Sequence, residues 1–151
     1  EMKILSLSKS YEDGRMDIKT KGLKVFRMLN FQNPVPNKLY AGGRVAYVED
    51  TDTPDGVISE LLLQLDRLHH ILQTKVDFNT QLQPFSYQIG HKVGLSQEEE
   101  YHLLTIDSET ERQRYILRHL NKVVPVMSEM ERTKERIKLN GHFKNLDPLN
   151  F

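Results

Sequence analysis

Cysteine is absent from the 151 residues, which removes disulfides, thiolate zinc sites, iron–sulfur clusters and cysteine nucleophiles together and fits a reducing compartment. No apolar run approaches the roughly 20 residues of a membrane helix, and nothing resembling a signal peptide opens the chain. The expectation is a cytoplasmic protein without a membrane partner. Neither sign of charge is in excess: 21 Lys and Arg balance 21 Asp and Glu, so nucleic acid or an anionic membrane would need a local patch.

Reaction motifs are missing too. A phosphate cradle needs a Gly-rich loop opening a helix, whereas Gly90-His91-Lys92-Val93-Gly94 falls at a predicted helix end, where the dipole repels anions and a C-terminal cap is the simpler reading. His69 and His70 are adjacent, so on a helix they point about 100° apart and do not share one ion as an i, i+4 pair does. His102 and His119 sit on patterned helices and are read as packing residues. There is no GxSxG elbow; Ser96 and Ser108 read as helix caps, and Glu98, Glu99 and Glu100 as acids favoured in a first helical turn. No catalytic residue, metal ligand or cofactor site is expected.

What is present is a change of period along the chain. With 38% hydrophobic residues the chain has a modest core. Asp13-Gly14 is a hairpin turn between strands over 3–10 and 16–20. A third strand is expected over 23–29, a loop at Asn33-Pro34-Val35-Pro36-Asn37, a bulge or close backbone approach at Gly42-Gly43, and a fourth strand over 44–48. Because the first strand pattern starts at once after Glu1, a preceding piece of the sheet is expected to be missing.

From Val57 the period becomes helical. Ile58, Leu61, Leu65, Leu68 and Leu72 form one stripe of a helix starting near Asp55 or Gly56, widened by Leu62, Leu63 and Ile71. Pro84 is expected at the first helical position of a short helix through Val93 that Gly94 closes. Capping boxes at Ser96 and Ser108 open two further helices. The second is the longest, with Ile116, Leu120, Val123, Met127, Met130 and Ile137 expected in the core, a kink at Pro125 and an end at Asn140-Gly141. The plan is α+β by segregation: a β-rich subdomain over 1–50, a helical one over 56–141 and an apolar tail over 142–151 expected to dock.

Two stretches resemble the N-terminal, substrate-binding domain of the Lon protease family. One runs from Asp13-Gly14-Arg15 through Leu23-Lys24-Val25-Phe26-Arg27; the other reads Leu95-Ser96, Glu98 to Glu100, Leu103-Leu104, Asp107, Glu109, Glu111, Arg112, Leu117. The resemblance covers most of residues 1–130, lacks the family's opening apolar, Pro-containing strand, and leaves no room for its ATPase and Ser-Lys protease domains. It implies a PUA-like β-rich pseudobarrel with its N-terminal part missing, then a helical bundle with a long C-terminal helix. It also implies a protein without activity of its own that recognises unfolded or exposed protein segments, with an ATPase or protease acting in trans.

Individual binding residues come from physics instead. Phe31, Pro34, Pro36 and Tyr40 form a Pro/Gly-rich, aromatic candidate protein-binding surface, whose alternative role is covering the incomplete sheet. Arg132, Lys134, Arg136 and Lys138 form a candidate basic face, read as a solvated helix end; as an RNA contact it would serve the alternative function, a PUA-like RNA-binding module.

Overall fold

The computed structural model describes residues 1–49, 57–75, 78–80 and 84–142, the side chains of 140–142 excepted. The linker expected at 50–55 and the tail expected to dock from 143 onward lie outside the described residues. The protein is α+β: among the described residues four strands form two antiparallel two-stranded sheets, followed by four α-helices. The chain divides into two compact units, Glu1–Glu49 and Asp50–Phe151.

In the first unit β1 (Met2–Ser10) pairs with β2 (Met16–Gly22), and β3 (Phe26–Gln32) pairs with β4 (Gly42–Tyr47). Among the described residues the strands make two ribbons and no closed barrel. The Asp13-Gly14 turn forms, with Gly14 at φ +86° and the Asp13 carboxylate accepting from the Arg15 amide at 3.1 Å. β3 begins three residues later than its pattern predicts. The amides of Leu23 and Lys24 instead donate to the Glu1 carbonyl at 2.9 and 3.5 Å, which holds the connection out of the ladder. Gly43 makes the expected close approach: a Cβ there would fall 1.9 Å from the Asn30 carbonyl oxygen. The register shift itself lies across the ribbon, between Met28 and Asn30.

In the second unit α1 (Val57–Leu72), α2 (Phe85–Ile89), α3 (Gln97–Thr105) and α4 (Glu109–His142) enclose the core. Leu61, Leu65 and Leu68 of α1, Phe85 and Ile89 of α2, Leu103 of α3 and Ile116, Leu117, Leu120 and Val124 of α4 are buried together with Val93. The α1 stripe is as predicted except at its rim, where Leu63 and Leu72 are exposed. Pro84 is the N-cap rather than the first helical residue, because its ψ of 126° is extended. α2 passes into a 3₁₀ turn at Gly90–Lys92, and Gly94 follows at φ +78°.

The expected α4 stripe is corrected at its far end. Met130 and Ile137 are 58% and 65% exposed, and Val124 rather than Val123 is buried. The reason is length: 34 residues of α4 span about 51 Å against about 24 Å for the 16 of α1, so α4 outruns the helix that covers it. α4 remains helical through Pro125 and past Asn140-Gly141 to His142. Among the described residues no helix is long and apolar enough to cross a membrane.

Candidate functional site

The β3–β4 connection carries the aromatic surface that the sequence singles out. Phe31 lies near the end of β3 opposite Gly43, and the loop beyond it is pinned by two backbone bonds, Val35 N–H to the Tyr40 carbonyl at 3.0 Å and Lys38 N–H to the Val35 carbonyl at 2.9 Å. Asn37 turns the chain at φ 63°. Val35 folds inward against Gly42, where an added Cβ would meet its Cγ2 at 2.8 Å. That inward anchor leaves Pro34, Pro36, Leu39 and Tyr40 exposed, with Phe31 58% and Tyr40 61% open to solvent. The loop therefore presents two rings, two prolines and a leucine on a short tether. Leu39, fully exposed between Lys38 and Tyr40, belongs to this surface and was missed because a lone leucine carries no pattern.

The four candidate cations do not share a face. Residues two apart on a helix lie about 200° apart, so Arg132 and Arg136 flank one side of α4 and Lys134 and Lys138 another. Arg132 and Lys134 are also paired, with Glu129 at 3.7 Å and Glu131 at 3.0 Å.

The second unit has a buried polar knot that sequence reasoning missed. The Glu109 carboxylate accepts from the Ser86 amide at 2.8 Å, the Ser86 hydroxyl at 2.5 Å, the Gln113 side-chain amide at 2.9 Å and Arg112 Nη2 at 2.9 Å. Arg112 also donates through Nε to Ser86 Oγ at 3.0 Å and through Nη1 to the Ile106 and Asp107 carbonyls at 2.8 and 3.1 Å, and its guanidinium lies over the Tyr87 ring at 4.5 Å. Ser86, Arg112 and Gln113 have no exposed surface and Glu109 has 1%. Serine, carboxylate and cation stand within bonding distance, but a sealed hydroxyl that already donates to Glu109 cannot attack a substrate. The knot clamps the start of α2, the end of α3 and the start of α4. Its signal was present: 109, 112, 113, 116, 117 and 120 continue the buried stripe of α4 at helical spacing.

Smaller features complete the helical unit. Glu99 and Ser96 form the capping box, the Ser96 amide donating to the Glu99 carboxylate at 2.8 Å and the Glu99 amide to Ser96 Oγ at 3.2 Å. Hydrogen bonds from the Ser96 backbone and side chain, with help from His119 and Lys122, hold the Glu99 carboxyl below the usual range. His119 donates through Nε2 to the Val93 carbonyl at 3.0 Å, and His69 stacks on Phe78 at 5.2 Å, both packing roles. Between α1 and α4, a groove of about 540 Å³ is lined by Gln64, Arg67, His70, Asn121, Pro125 and Ser128 among others. Pro125 has no amide hydrogen to give the Asn121 carbonyl at its wall.

No protein-family model matches the chain, and no curated protein sequence matches it.

Proposed function

We propose that the chain is a non-catalytic protein-binding module of the kind found at the N-terminus of Lon proteases. In this reading it recognises unfolded or exposed segments in the cytoplasm for ATP-dependent proteolysis or related quality control, with an ATPase or protease working in trans. One observation carries the reading: the β3–β4 connection holds Phe31, Leu39 and Tyr40 exposed on a loop whose backbone is pinned from within. Exposed aromatics on a braced loop bind apolar side chains without first having to be ordered. A PUA-like pseudobarrel belongs to the same reading. The register shifts after Ile4, Leu7 and Met28 supply the local twist with which a ribbon curves into a barrel wall.

The test is an amide NMR titration of the labelled chain with casein, an unfolded protein, and separately with single-stranded oligouridylate at matched ionic strength. Shifts with casein are expected at Phe31, Leu39 and Tyr40, and replacing the three by serine is expected to weaken binding about tenfold or more. Shifts with the RNA alone, centred on Arg136 and Lys138, would replace this reading with an RNA-binding one.

A further inference from the structure

Register turns the first ribbon into a two-faced object. Residues directly paired across antiparallel strands share a face. The pairs Met2 with Gly22, Ile4 with Thr20, Leu7 with Ile18 and Ser10 with Met16 therefore define one face, and Lys3 with Lys21, Ser6 with Lys19 and Lys9 with Asp17 define the other. The shifts at Leu5 and Ser8 keep every lysine of these pairs off the apolar face. Met2, Ile4, Leu7, Met16 and Ile18 are exposed on theirs.

The opposite face carries an excess of cations, four lysines against Asp17. Lys9 lies over the Tyr11 ring at 4.4 Å, and Asp17 accepts from the Tyr11 hydroxyl at 2.9 Å. Among the described residues the ammonium groups of Lys3, Lys19 and Lys21 have no ion pair, hydrogen bond or ring contact, although Lys3 stands directly opposite Lys21. Like charges in that arrangement oppose pairing until something neutralises them. The whole unit leans the same way: residues 1–49 contain nine Lys and Arg against five Asp and Glu.

Of the two strands only β2 has a regular edge. β1 is bulged twice, which disrupts a ladder, whereas β2 runs from Met16 to Gly22 without an extra residue and, among the described residues, pairs with β1 alone. We propose that β2 receives an extended peptide segment of alternating apolar and acidic residues, added edge-on as a third strand. Such a segment extends the apolar face beside Met16 and Ile18 and sets its carboxylates beside Lys19 and Lys21. The lysines that guard the edge against indiscriminate pairing thereby select for acids. RNA is disfavoured because the ring that meets this face, Tyr11, already lies under the Lys9 ammonium at 4.4 Å and holds Asp17 through its hydroxyl. The proposal rests on the protein-binding reading and names its substrate class.

The experiment uses the full chain and labelled peptides of about ten residues, the upper end of strand lengths and enough to span β2. One alternates valine and glutamate, one alternates valine and lysine, one is glutamate alone, and oligouridylate is a fourth probe. Anisotropy is expected to show the valine–glutamate peptide binding at least about tenfold tighter than the valine–lysine peptide, with amide shifts along Met16–Gly22. The Lys19→Glu/Lys21→Glu variant should reverse that order while the α1 and α4 amides stay in place. Equal binding of the glutamate-only peptide overturns edge addition in favour of simple charge attraction. Peptide binding that ignores charge and maps to Phe31 and Tyr40 overturns this proposal and leaves the protein-binding reading standing. No peptide binding, with RNA shifts at Lys3, Lys19 and Lys21, overturns both.

Discussion

Arg112 carries its charge with no surface in water, held by Ser86, Glu109 and two backbone carbonyls. A buried pair gains little net stability over apolar residues of the same volume, but either partner left alone is an uncompensated buried charge. Arg112→Ala and Glu109→Ala are each expected to destabilise the helical unit by about 3–5 kcal/mol in denaturant unfolding. The double variant should cost at least about 1 kcal/mol less than the two added together, since the second removal strands nothing new. Additive losses would mean that the pair is not the unit of stability here. Among the described residues the Gln113 side-chain oxygen has no partner, although its amide donates to Glu109, so within them this corner of the knot is incompletely satisfied. All of this was hidden in plain sight. The rhythm of α4 runs backward from Ile116 through Gln113 and Arg112 to Glu109, but charged residues are ordinarily assigned to solvent, and pairing with Ser86 across 23 positions has no local signature.

Capping shows what is legible at the scale of an element. Ser96 and Glu99 lie three residues apart, so the whole interaction is written in one stretch of sequence and forms as expected. The offsets of β3 and of Pro84 are of the other kind, set by the Glu1 carbonyl more than 20 residues away and by backbone angles that a proline permits in more than one form. The loop of Phe31, Pro34, Pro36 and Tyr40 was likewise legible because its residues are neighbours. The ribbon faces were not, because bulges at Leu5 and Ser8 interrupt the alternation from which faces are read. Glu99 also makes the cap pH-dependent. Its folded carboxyl titrates below its ordinary value of 4.5, so the stabilisation is complete above that value and is lost as pH falls through the lowered one. The Ser96 amide resonance should therefore titrate with a midpoint below 4.5, and the Glu99→Gln variant should abolish that titration. A midpoint at or above 4.5 would mean that the cap does not favour the carboxylate.

For the whole molecule, a net charge of zero conceals two unlike units. Residues 1–49 carry an excess of cations, while residues 50–151 hold 12 Lys and Arg against 16 Asp and Glu. Their interiors differ as sharply. The helical unit buries a continuous apolar core from α1 to α4, whereas none of residues 1–49 is fully buried. Two-stranded ribbons are marginally stable alone, and what a ribbon lacks is a third strand or a surface against its apolar face. Hydrogen exchange on the free chain should then show the amides of β1 to β4 exchanging far faster than those of α1 and the first half of α4, which open only with global unfolding. Adding the valine–glutamate peptide should slow exchange along β2 and β1 and leave β3 and β4 unchanged, because a strand on the β2 edge extends one sheet and not the other. Ribbon amides protected as strongly as α4 in the free chain would show that the apolar faces are already covered, and a concentration dependence of that protection would identify a second copy as the cover. Fast exchange that no peptide slows would remove β2 as a docking edge and return the binding role to the loop at Phe31 and Tyr40.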